Sequence, residues 1–265
     1  MIKIIGTGHV LQKSVNEVRE TILAIKPDFV AVELDRKRYE ILKENNFELN
    51  FEQVYSHYSA RDLFSSPAGL IQYLLANIQR EFGKKLNVFP GSEMKEAILC
   101  AKEINANIIL IDRNIDVTMN RILNLPLNEK IKMLTLSPKM TKDIDFEDGI
   151  NSILDKKNLE KITNIMKKFP KFYKGLVEER DAYMAMNLYS LQSRFPYANI
   201  VAVVGAGHNE GIEKFLNKFE NKKVINVDIN TINKVEKISQ LSHFTNILFA
   251  FILIFALIFL KLRFR

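Results

Sequence analysis

Asn199–Val204 reads as a strand, and after Asn199 it runs Ile-Val-Ala-Val-Val with no polar position on either face. A strand apolar on both sides must be covered on both sides, and that is the condition of a parallel sheet flanked by helices. Similar short runs recur at Ile2–Ile5, Phe29–Glu33, Ile108–Ile111 and Lys223–Val227. Helical patterns follow most of them: Ser14–Ile25, with Ser14 placed as N-cap and Glu17 completing a capping box, then Lys37–Asn45, Gly91–Glu103 and Glu210–Phe219. The alternation predicts an α/β fold with a mostly parallel central sheet covered by helices. Two stretches interrupt it. Residues 52–83 look helical, and 115–195 show no convincing strand, which predicts a large helical insertion capping the sheet.

Parallel strands all point one way, so the residues just past their ends collect along one edge. Those residues are His9, Glu33, Asp112 with Arg113, and His208. Two of them close the same motif: the first strand runs into Gly-Thr-Gly-His at 6–9 and the fourth into Gly-Ala-Gly-His at 205–208. Neither copy has the spacing of a dinucleotide fingerprint or the lysine of a P-loop. A histidine after a strand also serves as a hydrogen-bonded turn residue, but the duplication favours a shared site. Two imidazoles and a carboxylate suit a divalent first-row metal such as Mn, Co or Zn, with positions left open for water. His9, Glu33 and His208 are the expected ligands. His57 and His243 stand in no such context.

Arginines form a second set: Arg38 after Glu33, Arg113 at the rim, Arg121 beyond it, and Arg180 in VEERDAYMA. A rim arginine would stabilise the oxyanion formed when a metal-held water attacks a carbonyl. For Arg38, Arg121 and Arg180 a salt-bridged brace and a functional role both remain open.

Composition excludes several classes. A single cysteine, Cys100, rules out an internal disulfide framework and a Cys-rich zinc site; the apolar rhythm around it reads as a buried structural thiol. The net charge is +7, but Lys261, Arg263 and Arg265 supply three of these charges, and +4 spread over residues 1–260 argues against nucleic acid as a partner. Seven lysines between 156 and 174 read as a solvated helix face, with acidic lipid headgroups as the alternative.

The C-terminal stretch differs in kind. Ile247–Leu260 is fourteen apolar residues without a break, and Phe244 extends the tolerable length to seventeen. As a helix that reaches roughly 25 Å, close to a bilayer core of about 30 Å, with Lys261 and Arg263 free to snorkel. The expected organisation is an α/β domain over 1–235, then a linker and a C-terminal membrane helix over 236–265. No signal peptide opens the chain, so the main domain is expected on the cytoplasmic side of a single-span anchor.

The motifs IIGTGHV, ELDRKRYEIL, GSEMKEAI, LIDRNIDVTMNRI, LVEERDAYMA and NIVAVVGAGHNEGI together resemble the TraB/PrgY family, the pheromone-shutdown proteins, over roughly residues 1–227. That family is related to the TIKI metalloproteases and more distantly to erythromycin esterase-like and ChaN-like folds. The resemblance implies a site built on the two GxxH motifs and Glu33, with divalent-metal-dependent cleavage of peptides as the associated chemistry. It also implies that Glu93 and Glu179-Arg180 line the same cleft. Glu93 or Glu179 would then be a further ligand or general base. Arg113 or Arg180 would orient substrate, with Arg38 and Arg121 contributing to its binding. The alternatives are peptide capture or a membrane contact without turnover, and, more weakly, haem or iron binding. Self-association stays open.

Overall fold

The computed structural model of the chain describes residues 1–8, 12–44, 91–140, 156–221, 228–237, 242 and 245. In chain order the elements are β1 (Ile2–Thr7), α1 (Gln12–Ile25), β2 (Phe29–Val32), α2 (Arg36–Glu44), α3 (Ser92–Glu103) and β3 (Asn107–Leu110). There follow α4 (Ile115–Leu123), α5 (Leu127–Met140), α6 (Lys156–Lys167), α7 (Pro170–Tyr173), a π-helical turn at Lys174–Glu178, α8 (Glu179–Arg194), β4 (Ile200–Gly205), α9 (Ala206–Glu220) and α10 (Ile229–Ile232). The expected strand at 223–227, the helical stretch at 52–83 and the apolar run at 247–260 lie outside the described residues.

All three strand pairings are parallel, and the order across the sheet is β1-β4-β2-β3. The α/β reading therefore holds. Strand pleat divides β4 between two cores. Val201 and Val203 join Val30, Val32 and Ile5 against Val18 and Ile22 of α1 and Ala97 and Ile98 of α3. Ile200, Ala202 and Val204 join Ala31 against Ala182, Met184 and Leu188 of α8 and Ile212 of α9. Every residue of β4 is buried, which is why its sequence is apolar on both faces. Among the described residues the stretch 115–195 carries no strand, in agreement with a helical insertion. Lys167, Lys168, Lys171 and Lys174 are exposed, as a solvated face requires.

Two helix starts differ from expectation. The helix expected from Ser14 begins at Gln12, and the Ser14 hydroxyl accepts the Gly8 amide at 3.1 Å instead of capping. The helix expected from Glu210 begins at Ala206, directly off β4 with Gly205 as its N-cap. His208 therefore belongs to the first turn of α9, not to a loop. No described helix is long and apolar enough to cross a membrane.

Candidate functional site

The two Gly-x-Gly-His motifs end neighbouring strands. Thr7 pairs with Gly205, so the second residue of the first motif lies beside the first residue of the second. His9 itself lies outside the described residues. On the other side of β4, Glu33 follows β2 and donates its amide to the Val203 carbonyl at 3.1 Å. Asp112 follows β3, its amide on the Leu34 carbonyl at 3.3 Å. His208, Glu33 and Asp112 thus sit at the ends of three adjacent strands.

Arg180, from α8, joins them. Its Nη2 donates to Glu33 Oε1 and, at 2.7 Å, to Asp112 Oδ2. Nε donates to Asp112 Oδ1 at 3.1 Å, and Nη1 lies 2.9 Å from His208 Nε2 and 3.3 Å from the Leu176 carbonyl. The second oxygen of Glu33 accepts the Gly205 amide at 2.6 Å. On the far side of the imidazole, Nδ1 meets Asp181 Oδ1 at 2.5 Å. Asp112 also takes Arg38 Nη2 at 2.6 Å, and Arg38 Nε reaches Asp35 at 2.8 Å. The result is one alternating chain of charge, Asp35–Arg38–Asp112–Arg180–Glu33, closed by His208 and Asp181. Apart from Arg38, which is partly exposed, every member is buried.

Burial sets the terms. A buried charge is tolerated only when paired and hydrogen-bonded, and here each carboxylate has a cation or backbone amide against it. Burial would raise the Asp112 pKa, but Arg180 and Arg38 hold it below the ordinary value. Burial would lower that of Arg180, yet Asp112 and Glu33 raise it. Asp181 is pushed up to about 6 by burial, against the opposing pull of His208. His208 is raised: burial opposes its charge, and Glu33 and Asp181 outweigh that.

The other expected arginines have structural partners. Arg113, fully buried, donates to Thr118 Oγ1 at 3.1 Å, to Glu179 Oε2 at 2.7 Å, to the Ile232 carbonyl at 2.8 Å and to the Gly175 carbonyl at 2.5 Å. Arg121 shares the same Glu179 oxygen at 3.1 Å. Glu179 and Arg180, adjacent in sequence, consequently serve two clusters. The π-helical turn just before them supplies the Gly175 and Leu176 carbonyls to Arg113 and Arg180 respectively; such turns concentrate at functional sites. Glu93, second residue of α3, is fully buried.

Asp35 and Asp181 are the cluster residues that sequence reasoning missed, although for Asp181 a signal existed. Asp181 stands on one helical stripe with Met184, Ala185 and Leu188, all buried. A carboxylate on an apolar stripe requires a buried partner.

A divalent ion finds part of a ligand set here. His208 Nε2 and Glu33 Oε1 lie 3.5 Å apart, a span that two ligands at about 2.1 Å from one ion can bridge. Nδ1 is committed to Asp181, the way ligating histidines are commonly oriented. The donor pair fits. Arg180 lies against both donors, so an ion and the guanidinium compete for the same lone pairs. Among the described residues no group of three or more His, Cys, Asp or Glu side chains is arranged to hold an ion.

Comparison with known proteins agrees with these motifs. The model of the TraB/PrgY/gumN family matches residues 2–225. An uncharacterized protein of Methanocaldococcus jannaschii is 35% identical over 241 residues, covering 89% of this chain and 58% of its own length. TraB domain-containing proteins of Bos taurus and Homo sapiens are each 30% identical over 236 residues, covering 80% of this chain and 62% of theirs. The chain spans about three fifths of the length of these curated relatives. With six motifs, a buried cluster at the strand ends and a family match across most of its length, the chain belongs to the TraB/PrgY/gumN family.

Proposed function

We propose that the cluster is the centre of a metal-dependent hydrolase acting on peptides, with the apolar run at 247–260 as its membrane anchor. The observation that carries this reading is the state of His208. Asp181 on Nδ1 fixes the ring, and Nε2 turns toward Glu33 and Arg180. Glu33 and His208 would hold the ion, joined by His9. When bound, the ion supplies a polarised water at neutral pH and a Lewis acid for the peptide carbonyl.

The chain's own residues divide the remaining work. Asp181 keeps the Nδ1 proton in place and leaves Nε2 as the donor atom. The Gly205 amide fixes one Glu33 oxygen, so that the other points at the cluster. Arg180 carries positive charge beside both donors, where an oxyanion would develop. Arg38, partly exposed at the outer end of the charge chain, is the arginine placed to meet a substrate carboxylate. Arg113 and Arg121 act as braces in this reading, their guanidinium donors being engaged by Glu179 and backbone carbonyls.

The test combines elemental analysis of the purified chain with a peptide library assayed in added Mn, Co or Zn. A stoichiometric metal and cleavage, both lost in His208→Ala and Glu33→Gln while the fold survives, are the expected results. Unchanged metal content in both variants would remove Glu33 and His208 as ligands. A second reading, peptide capture without turnover, is favoured by the engagement of Arg180 at Nε, Nη1 and Nη2 by this chain's own groups. Tight peptide binding with no cleavage would select it.

A further inference from the structure

Within residues 228–237 Ile232 alone is buried. What holds them is a set of polar bonds to the insertion. The Thr231, Ile232 and Lys234 carbonyls accept from Arg121 Nη2 at 2.8 Å, Arg113 Nη1 at 2.8 Å and Arg121 Nη1 at 3.1 Å. Asn120 clasps Glu236 from both sides, its Nδ2 on the Glu236 carbonyl and its Oδ1 on the Glu236 amide, each at 2.9 Å. The segment is preshaped for this. Asp228 caps α10 by accepting the Asn230 amide at 3.0 Å and the Thr231 hydroxyl at 2.6 Å.

The same two arginines converge on one oxygen of Glu179, the residue before Arg180. Arg113 also takes the Gly175 carbonyl, and Arg180 takes the next one, Leu176. Gly175 packs closely on Arg121, since a Cβ there would fall 2.7 Å from Arg121 Cβ. Segment 228–237, two guanidinia, the π-helical turn and the first turn of α8 are therefore linked in series.

We propose that Arg113 and Arg121 are positioning residues through which segment 228–237 sets the placement of Arg180. The segment lies between the domain and the apolar run at 247–260, so the attachment of that run bears directly on the cluster. Loss of the segment takes one carbonyl acceptor from Arg113, and two carbonyls and the Glu236 carboxylate, at 3.2 Å, from Arg121. Arg113, fully buried, when deprived of the Ile232 acceptor pulls on those it keeps, Glu179 and Gly175. This inference concerns how Arg180 is held, and it stands whether the cluster hydrolyses peptides or only binds them.

The test is hydrogen–deuterium exchange on the full chain in detergent, comparing wild type with Asn120→Ala. The Asn120 side chain hydrogen-bonds Glu236 and Asn124, neither of them a hydrogen-bond partner of Arg180, and the substitution removes both bonds to Glu236. Exchange is expected to quicken about tenfold at 174–180 and at the Gly205 amide, which reports on Glu33. Rates in α1 and α3, on the opposite face of the sheet, should not move. Asp228→Ala, at an exposed position, provides a second route to the same loosening if Asn120→Ala folds poorly. Faster exchange confined to 228–237 would overturn the proposal, and so would a uniform rise across all helices. Absence of peptide cleavage would bear on the hydrolase reading and leave this result untouched.

Discussion

Asp181 and Arg180, consecutive residues of one helix, hold opposite nitrogens of the same imidazole: Oδ1 of Asp181 at 2.5 Å from His208 Nδ1, Nη1 of Arg180 at 2.9 Å from Nε2. With Nδ1 protonated, Nε2 accepts from Arg180. Protonating the ring ends that bond and turns Nε2 into a donor, with Glu33 Oε1 at 3.5 Å as its acceptor. One proton thus transfers His208 from the arginine to the glutamate.

The sign of the resulting pH dependence follows. Burial pushes Asp181 up to about 6, and His208 is raised above its ordinary value by Glu33 and Asp181 despite burial. Groups raised on folding contribute stability at low pH and lose it as pH rises through the folded value. Asp112, lowered by Arg180 and Arg38 against burial, does the reverse and loses its contribution as pH falls below the ordinary carboxylate range. Urea midpoints should therefore fall as pH is raised from about 6 to about 8. His208→Gln should flatten the upper part of that slope. A midpoint that rises over this interval would contradict the ion-pair assignments.

Removing Arg180 leaves Glu33 and Asp112 buried without their main cation. Arg180→Ala should cost roughly 3–5 kcal/mol in denaturant titrations. Arg180→Lys should recover only part of this, because an ammonium cannot present the fork that bridges both carboxylates. A loss below about 1 kcal/mol would mean that the arginine is not what neutralises them.

Two glycines of α9 offer a matched comparison. A Cβ on Gly211 would fall 1.9 Å from Asp181 Oδ2, whereas one on Gly207 meets nothing within 4 Å. Gly211→Ala should displace Asp181 from His208 and destabilise by about 1–3 kcal/mol. Gly207→Ala should be neutral or stabilising by up to about 1 kcal/mol through helix propensity. Melting temperatures of the two variants, with the His208 ring resonances followed by NMR, check both statements. Equal behaviour would refute the packing argument.

The tail yields a further expectation. Cutting after residue 240 should release a folded domain that no longer partitions with membranes. Cutting after 227 should also remove the carbonyl acceptors of Arg113 and Arg121 and lower the melting temperature further. If both truncations melt alike, segment 228–237 contributes nothing to the domain.

The inner strands β2 and β4 were legible in the sequence because nearly every position on both faces is buried, while β1 and β3 keep a short apolar run beside exposed Lys3 and Asn107. The convergence of Glu33, Asp112 and His208 was legible for the same reason, since parallel strands bring their ends together whatever lies between them in the chain. Arg180 was recognised as a candidate, but not as the hub. Its partners come from three strand ends, and a helical residue gives no hint of which edge it reaches. Asp181 was less legible because with Glu179 and Arg180 it makes three consecutive charged residues that read as a polar helix start although all three are buried. The early start of α9 at Ala206 was hidden by Gly207, a poor helix former.

The place of β4 between β1 and β2 also governs the order in which the molecule can be assembled during synthesis. Among the described strands β1 pairs with β4 alone, and β2 pairs with β3 and β4. A nascent chain that has not yet exposed residues 200–205 at the ribosome therefore holds two separate sheet pieces. Each carries an open apolar edge of the kind that invites pairing with other chains. The pieces are joined only by a strand made long after them, a connection pattern that slows folding. Late arrival of one strand unites the sheet, brings His208 to Glu33 and gives Arg180 its full set of partners, so an interval of open strand edges before that moment is built into the topology.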